Sequence, residues 1–96
     1  MVVTQLEFDP TKGIKNREKH GISLSMALSV YDAPFKLTLH RCRNGEQRCL
    51  DLALIQEHRV VLALVYVMRG NSVRAISLRV ASKAERRFYE EARTAN

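Results

Sequence analysis

The sequence predicts an α+β domain: a small antiparallel sheet, built as a four-strand meander with an added N-terminal strand, two helices before it and one after it. Three observations predict it. From Phe35 to Val80 the chain runs through apolar or alternating stretches broken only near Asn44-Gly45, His58 and Gly70-Asn71, which is strand–turn punctuation. Asp9-Pro10 and Lys19-His20-Gly21 have the composition of a helix start and a helix stop. Ser82-Lys83-Ala84-Glu85 is a capping box opening a last helix.

Taken in order, Val2 to Phe8 reads as a first strand. Thr11 to His20 is a helix with a solvated surface, since Lys12, Lys15, Arg17, Glu18 and Lys19 leave only Ile14 and a few stems to pack, and Gly13 weakens it further. Gly21 supplies a left-handed cap, and the cations of the last turn complement the helix dipole, which is by itself a sufficient structural reason for His20. Ser23 caps a second helix, Leu24 to Tyr31, with Leu24, Ala27, Leu28 and Tyr31 on one stripe. Asp32-Ala33-Pro34 stops it, because a residue before proline is pushed away from helical angles.

Phe35 to His40 alternates as a strand, HRCRNGEQR is a basic turn, and Cys49 to Gln56 is the next strand. Val60 to Met68 is apolar throughout apart from Tyr66, so it reads as a strand buried on both faces. In the return strand, Val73 to Val80, Ile76, Leu78 and Val80 should meet a core while Ser77 and Arg79 meet a polar partner. Arg74 breaks this alternation by sharing the parity of Ile76, which places it at a strand end or requires it to snorkel. In the last helix, Lys83 to Arg93, Ala84, Phe88 and Ala92 recur at helical spacing and should lie on the sheet. One sheet face is expected under helices, the other partly open and edged with arginines.

At 96 residues the chain makes one domain with a modest core. A net charge of +6 favours a polyanionic partner, nucleic acid or an acidic protein. No apolar run approaches a membrane span and no secretory signal is visible, so a cytosolic setting is expected, with Cys42 and Cys49 as free thiols even if strand pairing sets them face to face. His40, Cys42, Cys49 and His58 fit no zinc spacing.

Arginine is the informative residue. Arg59, Arg69, Arg74 and Arg79 fall on the central hairpin, and Arg41, Arg43 and Arg48 on its neighbour. Guanidinium groups match phosphate and carboxylate geometry, while Arg59 is best read as a solvated strand-end guard. No metal cluster, glycine-rich nucleotide loop, nucleophile elbow or paired-acid motif is present. RNA cleavage through the substrate's own 2′-hydroxyl is a chemistry that needs no cofactor, only a base, an acid and cations around phosphorus. His20, Lys19, Glu46, Tyr89 and the arginines are the residue types for it. Arg79→Ala is expected to remove function with little loss of folding.

Glu7-Phe8-Asp9-Pro10-x-Lys12, Asn16 and Lys19-His20-Gly21-Ile22 resemble the opening signature of the BrnT family of ribonuclease toxins. Gly45-Glu46-Gln47-Arg48 resembles its middle block. Arg74, Ile76, Ser77, Arg79, Ala81 and the run Glu85 to Glu90 resemble its late block. The resemblance implies a RelE-like fold, metal-independent endoribonuclease activity that arrests translation and growth, and no cofactor. It implies a BrnA-type ribbon-helix-helix antitoxin as partner, a heterotetrameric complex, and contact with DNA only through that antitoxin. It assigns Lys19, His20, Arg74, Ser77 and Arg79 to catalysis, joined by Arg69 from its place beside the turn; Arg41, Arg43, Arg48 and Tyr89 are the expected RNA-binding residues. The sequence departs from the family at Phe8, where Trp is usual, at Val67-Met68, where Thr-Glu is usual, and at Leu78, where Ala is usual. These departures motivate an alternative: a basic module that binds an antitoxin or nucleic acid without cutting it.

Overall fold

The last strand of the sheet, β5 (Ser72–Val80), has a neighbour on each side, and the fold is arranged around it. The structure, a computed structural model, describes residues 4–95. Strand β1 (Gln5–Glu7) is followed by helix α1 (Pro10–His20), a 3₁₀ turn (Leu24–Met26) and the short helix α2 (Ala27–Tyr31). Strands β2 (Leu37–Arg43), β3 (Glu46–Ile55) and β4 (Val60–Arg69) lead to β5, and helix α3 (Lys83–Ala95) closes the described chain. The strand order is β1-β5-β4-β3-β2 in a five-stranded sheet.

The α+β class and the meander stand, but the sheet is mixed rather than antiparallel. β1 runs parallel to β5, with Gln5, Leu6 and Glu7 opposite Ser72, Val73 and Arg74. It is shorter than the expected strand, and Val2 and Val3 lie outside the described residues. The second helix is likewise divided, because Ser23 caps a 3₁₀ turn by accepting from the Ser25 N–H and α2 begins only at Ala27.

The predicted punctuation is realised atom by atom. Asp9 accepts from the Thr11 N–H at 2.8 Å with Pro10 in the first turn, and Gly21 at φ 72° donates its N–H to the Arg17 carbonyl. Asn44 and Gly45 both take positive φ, the signature of a type I′ hairpin turn. Gly13 has a packing reason: a Cβ there would meet the Phe8 ring at 2.9 Å, so the helix tolerates a weak former to let Phe8 close on it.

Two apolar layers sandwich the sheet. Leu24, Ala27 and Val30 pack with Leu62, Leu64, Tyr66, Val73, Ala75 and Leu78 on one face. On the other, Tyr89 and Ala81 pack with Leu50, Leu52, Val61 and Ala63, so the face expected to be open is roofed by α3 over part of its area. The helix is rotated from the predicted stripe. Glu85 and Tyr89 are buried while Phe88 is 57% exposed. The cause is the capping box: Glu85 is held at the sheet by the Ser82 N–H at 2.8 Å and by Arg79, which turns Ala84 and Phe88 outward.

Beyond the reach of the three-residue β1, the edge of β5 is completed by a side chain. The Asn16 amide donates to the Leu78 carbonyl at 2.9 Å and to the Ile22 carbonyl at 2.8 Å, and its oxygen accepts the Leu78 N–H at 3.0 Å. Asn16 is 5% exposed and pins α1 to β5. Asn16→Ala leaves buried backbone groups unpaired and should destabilise the fold by about 2–3 kcal/mol in urea unfolding.

Candidate nucleic-acid interface

A register change in β5 builds the site. Leu78 stands opposite Leu64 and Ser77 opposite Val65, but Ala75 stands opposite Tyr66, so Ile76 is an extra residue in the β4–β5 ladder. The bulge reverses side-chain parity along β5. On its far side Val73 and Ala75 enter the helix-covered core, and Arg74, opposite Val67, turns to the same face as Ser77 and Arg79. This resolves the anomaly of Arg74 and corrects the expected inward set: Ile76 is only half-buried and Val80 is 51% exposed.

The face so assembled holds a cleft of about 290 Å³ lined by Arg41, Arg43, Arg48, Val65, Ile76, Ser77 and Arg79. Arg41 and Arg48 are directly opposed across β2 and β3. Like charges opposite one another on a sheet repel, and an anion between them relieves that repulsion. Arg48 is steadied by Glu46 at 3.0 Å, whereas among the described residues Arg41 and Arg43 have no carboxylate partner. Ile76 and Ser77 also line a second, shallower cleft of about 220 Å³ with Lys12, Lys15, Asn16, Lys19 and His20 of α1. The two clefts share Ile76 and Ser77 at the bulge, so the cations of α1 and of the β2–β3 hairpin flank the same two residues; the two clefts together are termed the trough.

Within it, Arg79 is fixed in orientation. Its guanidinium donates to both Glu85 oxygens at 2.7 and 3.0 Å, and the Glu85 N–H in turn donates to the Ser82 hydroxyl at 3.1 Å. The Arg79 hydrogen bonds are the main reason that the Glu85 carboxyl is pulled down to about 2. Arg79→Ala therefore has a structural consequence the sequence reading did not foresee. It strands a largely buried carboxylate and should destabilise the fold by about 1–3 kcal/mol. The sign of the acid effect follows. A carboxyl held below its ordinary 4.5 stabilises the fold above that pH, and the contribution disappears as pH falls towards 2. Acid unfolding of Arg79→Ala should accordingly be shallower between these limits.

His20 lies at the other end of the trough. Burial first, then the charges of Lys19 and Arg79, lower its pKa from 6.5, so its imidazole is neutral at physiological pH and able to accept a proton. The structure thus gathers Lys19, His20, Ser77, Arg79, Arg41, Arg43 and Arg48. Arg74 shares the face but leans on Glu7 at 3.4 Å beyond the clefts, and Arg69 sits exposed at the β4–β5 turn, lining neither.

Tyr89 is no part of the surface: it is 2% exposed, stacks edge-on with Phe35 and accepts the Leu54 N–H on its hydroxyl. Val67 is on the trough face opposite Arg74, and Met68 faces the opposite way, opposite Val73.

Sequence reasoning missed Asn16 as the clamp and Glu85 as the anchor of Arg79. The capping box was the available signal for Glu85; Asn16 stood in the opening signature, but its partner on β5, Leu78, is sixty-two residues away and nothing local pointed to it.

The strand register also places the cysteines and histidines. Cys42 stands opposite Gln47 and Cys49 opposite His40, so the thiols do not face each other directly; both are free. The Cys49 sulfur approaches His40 Nδ1 at 3.7 Å, but His58 lies in the β3–β4 turn, and among the described residues no group of His, Cys, Asp or Glu is placed to hold a metal. No helix is long and apolar enough to cross a membrane.

Comparison with curated proteins finds no match. A family model does match, over residues 8–85, and it describes the ribonuclease toxin BrnT of type II toxin–antitoxin systems. That span takes in α1, the whole meander and the Arg79–Glu85 pair. The chain belongs to the BrnT family of ribonuclease toxins of type II toxin–antitoxin systems.

Proposed function

We propose that the trough binds single-stranded RNA by its backbone and cleaves it without a metal, and that a cognate ribbon-helix-helix antitoxin neutralises the activity by forming a heterotetramer with the chain. The reading places cleavage at the bulge. Neutral His20 accepts the proton of a ribose 2′-hydroxyl, and the freed oxygen forms a bond to the adjacent phosphorus. The bond from phosphorus to the 5′-oxygen breaks, and that oxygen takes a proton from the Lys19 ammonium or from water. The Arg79 guanidinium, fixed by Glu85, and the Ser77 hydroxyl hold the phosphate oxygens as charge accumulates on them. Arg41, Arg43 and Arg48 carry the flanking phosphates; Arg69 and Arg74 extend the same face.

The observation that carries this reading is the Arg41–Arg48 opposition at the wall of the cleft that Ser77 and Arg79 complete. A sheet keeps such a pair at a disadvantage to its own stability unless an anion uses it. Arg41→Thr should therefore leave thermal stability unchanged or raised, weaken RNA binding, and lower the salt slope of binding by about 1. An Arg41→Thr protein that unfolds more easily and still binds RNA with the full salt slope would contradict the assignment.

A second reading, binding without cleavage, is favoured by one observation: Val67 puts an aliphatic group opposite Arg74, where the family's usual threonine would offer a hydroxyl. Incubating purified protein with a single-stranded RNA in excess chelator separates the two. Time-dependent fragments support cleavage; salt-sensitive binding of RNA that stays intact supports the second reading.

A further inference from the structure

Strand β2 ends the sheet, and among the described elements only β3 lies beside it. The two-residue turn at Asn44-Gly45 makes Arg43 and Glu46 the closing hydrogen-bonded pair of the hairpin. Pairs alternate from there, so Arg41, Leu39 and Leu37 also bond to β3, while Thr38, His40 and Cys42 turn their N–H and C=O groups outward. An open ladder of that length is a template for another strand.

The side chains along it are ordered. On the α3 side Leu37 and Leu39, half-buried against the second core, are followed by Arg41 and Arg43, which line the cleft. A strand that fits this edge carries apolar residues at alternate positions over one half of its length and carboxylates over the other half, on the same face. A second copy of the chain is a poor match. Aligning two β2 strands antiparallel over their whole length, Leu37 to Arg43, sets Arg41 and Arg43 against Leu39 and Leu37 of the other copy. Slipping towards the turn sets arginine against arginine, slipping the other way still leaves Arg41 against Leu37, and each copy carries +6.

We infer that the free edge of β2 receives an extended, part-apolar and part-acidic segment of the antitoxin as a sixth strand, whose carboxylates occupy Arg41 and Arg43 and so close one end of the RNA trough. The inference rests on the toxin–antitoxin reading above and adds where and through what chemistry the partner acts. Neutralisation then requires no contact with His20, because the added strand competes with RNA for the same guanidinium groups.

Amide hydrogen exchange of the chain alone and in complex with its antitoxin tests it. The amides of Thr38, His40 and Cys42 should exchange freely in the isolated chain and slow at least tenfold in the complex. Replacing Arg41 and Arg43 by glutamate should weaken the complex at least tenfold while the β3 and β4 amides stay protected, which shows that the variant is folded. A complex that forms without slowing those three amides overturns the inference and leaves the toxin–antitoxin reading intact. Protection that is already present in the isolated chain and grows with its concentration assigns the edge to a second copy and also overturns it. Failure to form any complex counts against both, and RNA cleavage by the isolated chain then shows which part of the earlier reading survives.

Discussion

Replacing His20 by glutamine should slow RNA cleavage about 10²–10⁴-fold at neutral pH if the imidazole is the proposed general base, the usual contribution of such a group. The fold should be unaffected, since His20 ends α1 and the helix is closed by Gly21 rather than by the imidazole. The pH dependence distinguishes a base from a bystander. A base must be unprotonated, so the rate falls as pH drops through its pKa, and the lowered pKa of His20 puts that acidic limb below 6.5. Lys19→Gln removes one of the charges responsible and should move the limb upward, part of the way only, because burial is the larger cause. A pH–rate profile together with an NMR titration of the His20 ring checks both statements. An acidic limb that Lys19→Gln leaves in place would remove His20 from the chemistry.

The largest effect on stability is expected at Asp51, which the trough does not use. It is fully buried, accepts from the Lys36 ammonium at 2.7 Å and the Thr38 hydroxyl at 2.6 Å, and faces the α2 side of the sheet opposite Leu64. Lys36 also sits 3.9 Å from the centre of the Tyr31 ring, so the ammonium is held between a carboxylate and a π face. Burial, and next the Asp51 charge, push the Tyr66 hydroxyl up, which keeps it protonated and able to donate. Asp51→Ala leaves the Lys36 charge and two hydroxyls without their acceptor and should cost about 3–5 kcal/mol. In a domain of this size that lowers the melting temperature by more than about 12 °C. RNA affinity per folded molecule should be unchanged, because the network and the trough lie on opposite faces of the sheet. Loss of affinity without loss of stability would contradict this separation.

What could be read from the sequence was local. Asp9, Gly21, Gly45 and the Ser82–Glu85 box each act within a few residues, and each appears where the composition put it. What could not be read was what depends on partners far along the chain. The parity of β5 reverses because β4 and β5 fall out of step at Tyr66, a mismatch invisible in either strand alone, and it decides that Arg74 joins Ser77 and Arg79. The burial of Tyr89 in place of Phe88 follows from the Arg79–Glu85 pair, which fixes the rotation of α3 about its own axis. The parallel pairing of β1 was equally hidden, since three residues carry too little pattern to state a direction. The sequence singled out the cationic residues as a class, and the bulge shows which of those on β5 share a cleft with the β2–β3 hairpin.

The central claim is that RNA lies along the trough that the β5 bulge forms with α1 and the β2–β3 hairpin. Backbone NMR of the chain titrated with a short 2′-O-methylated RNA, which binds but lacks the attacking hydroxyl, tests it most directly. Resonances of His20, Arg41, Arg48, Ser77 and Arg79 should shift together with a single affinity that weakens steeply with salt. Shifts confined to the outer face of α3 around Phe88, with those five unmoved, would contradict it.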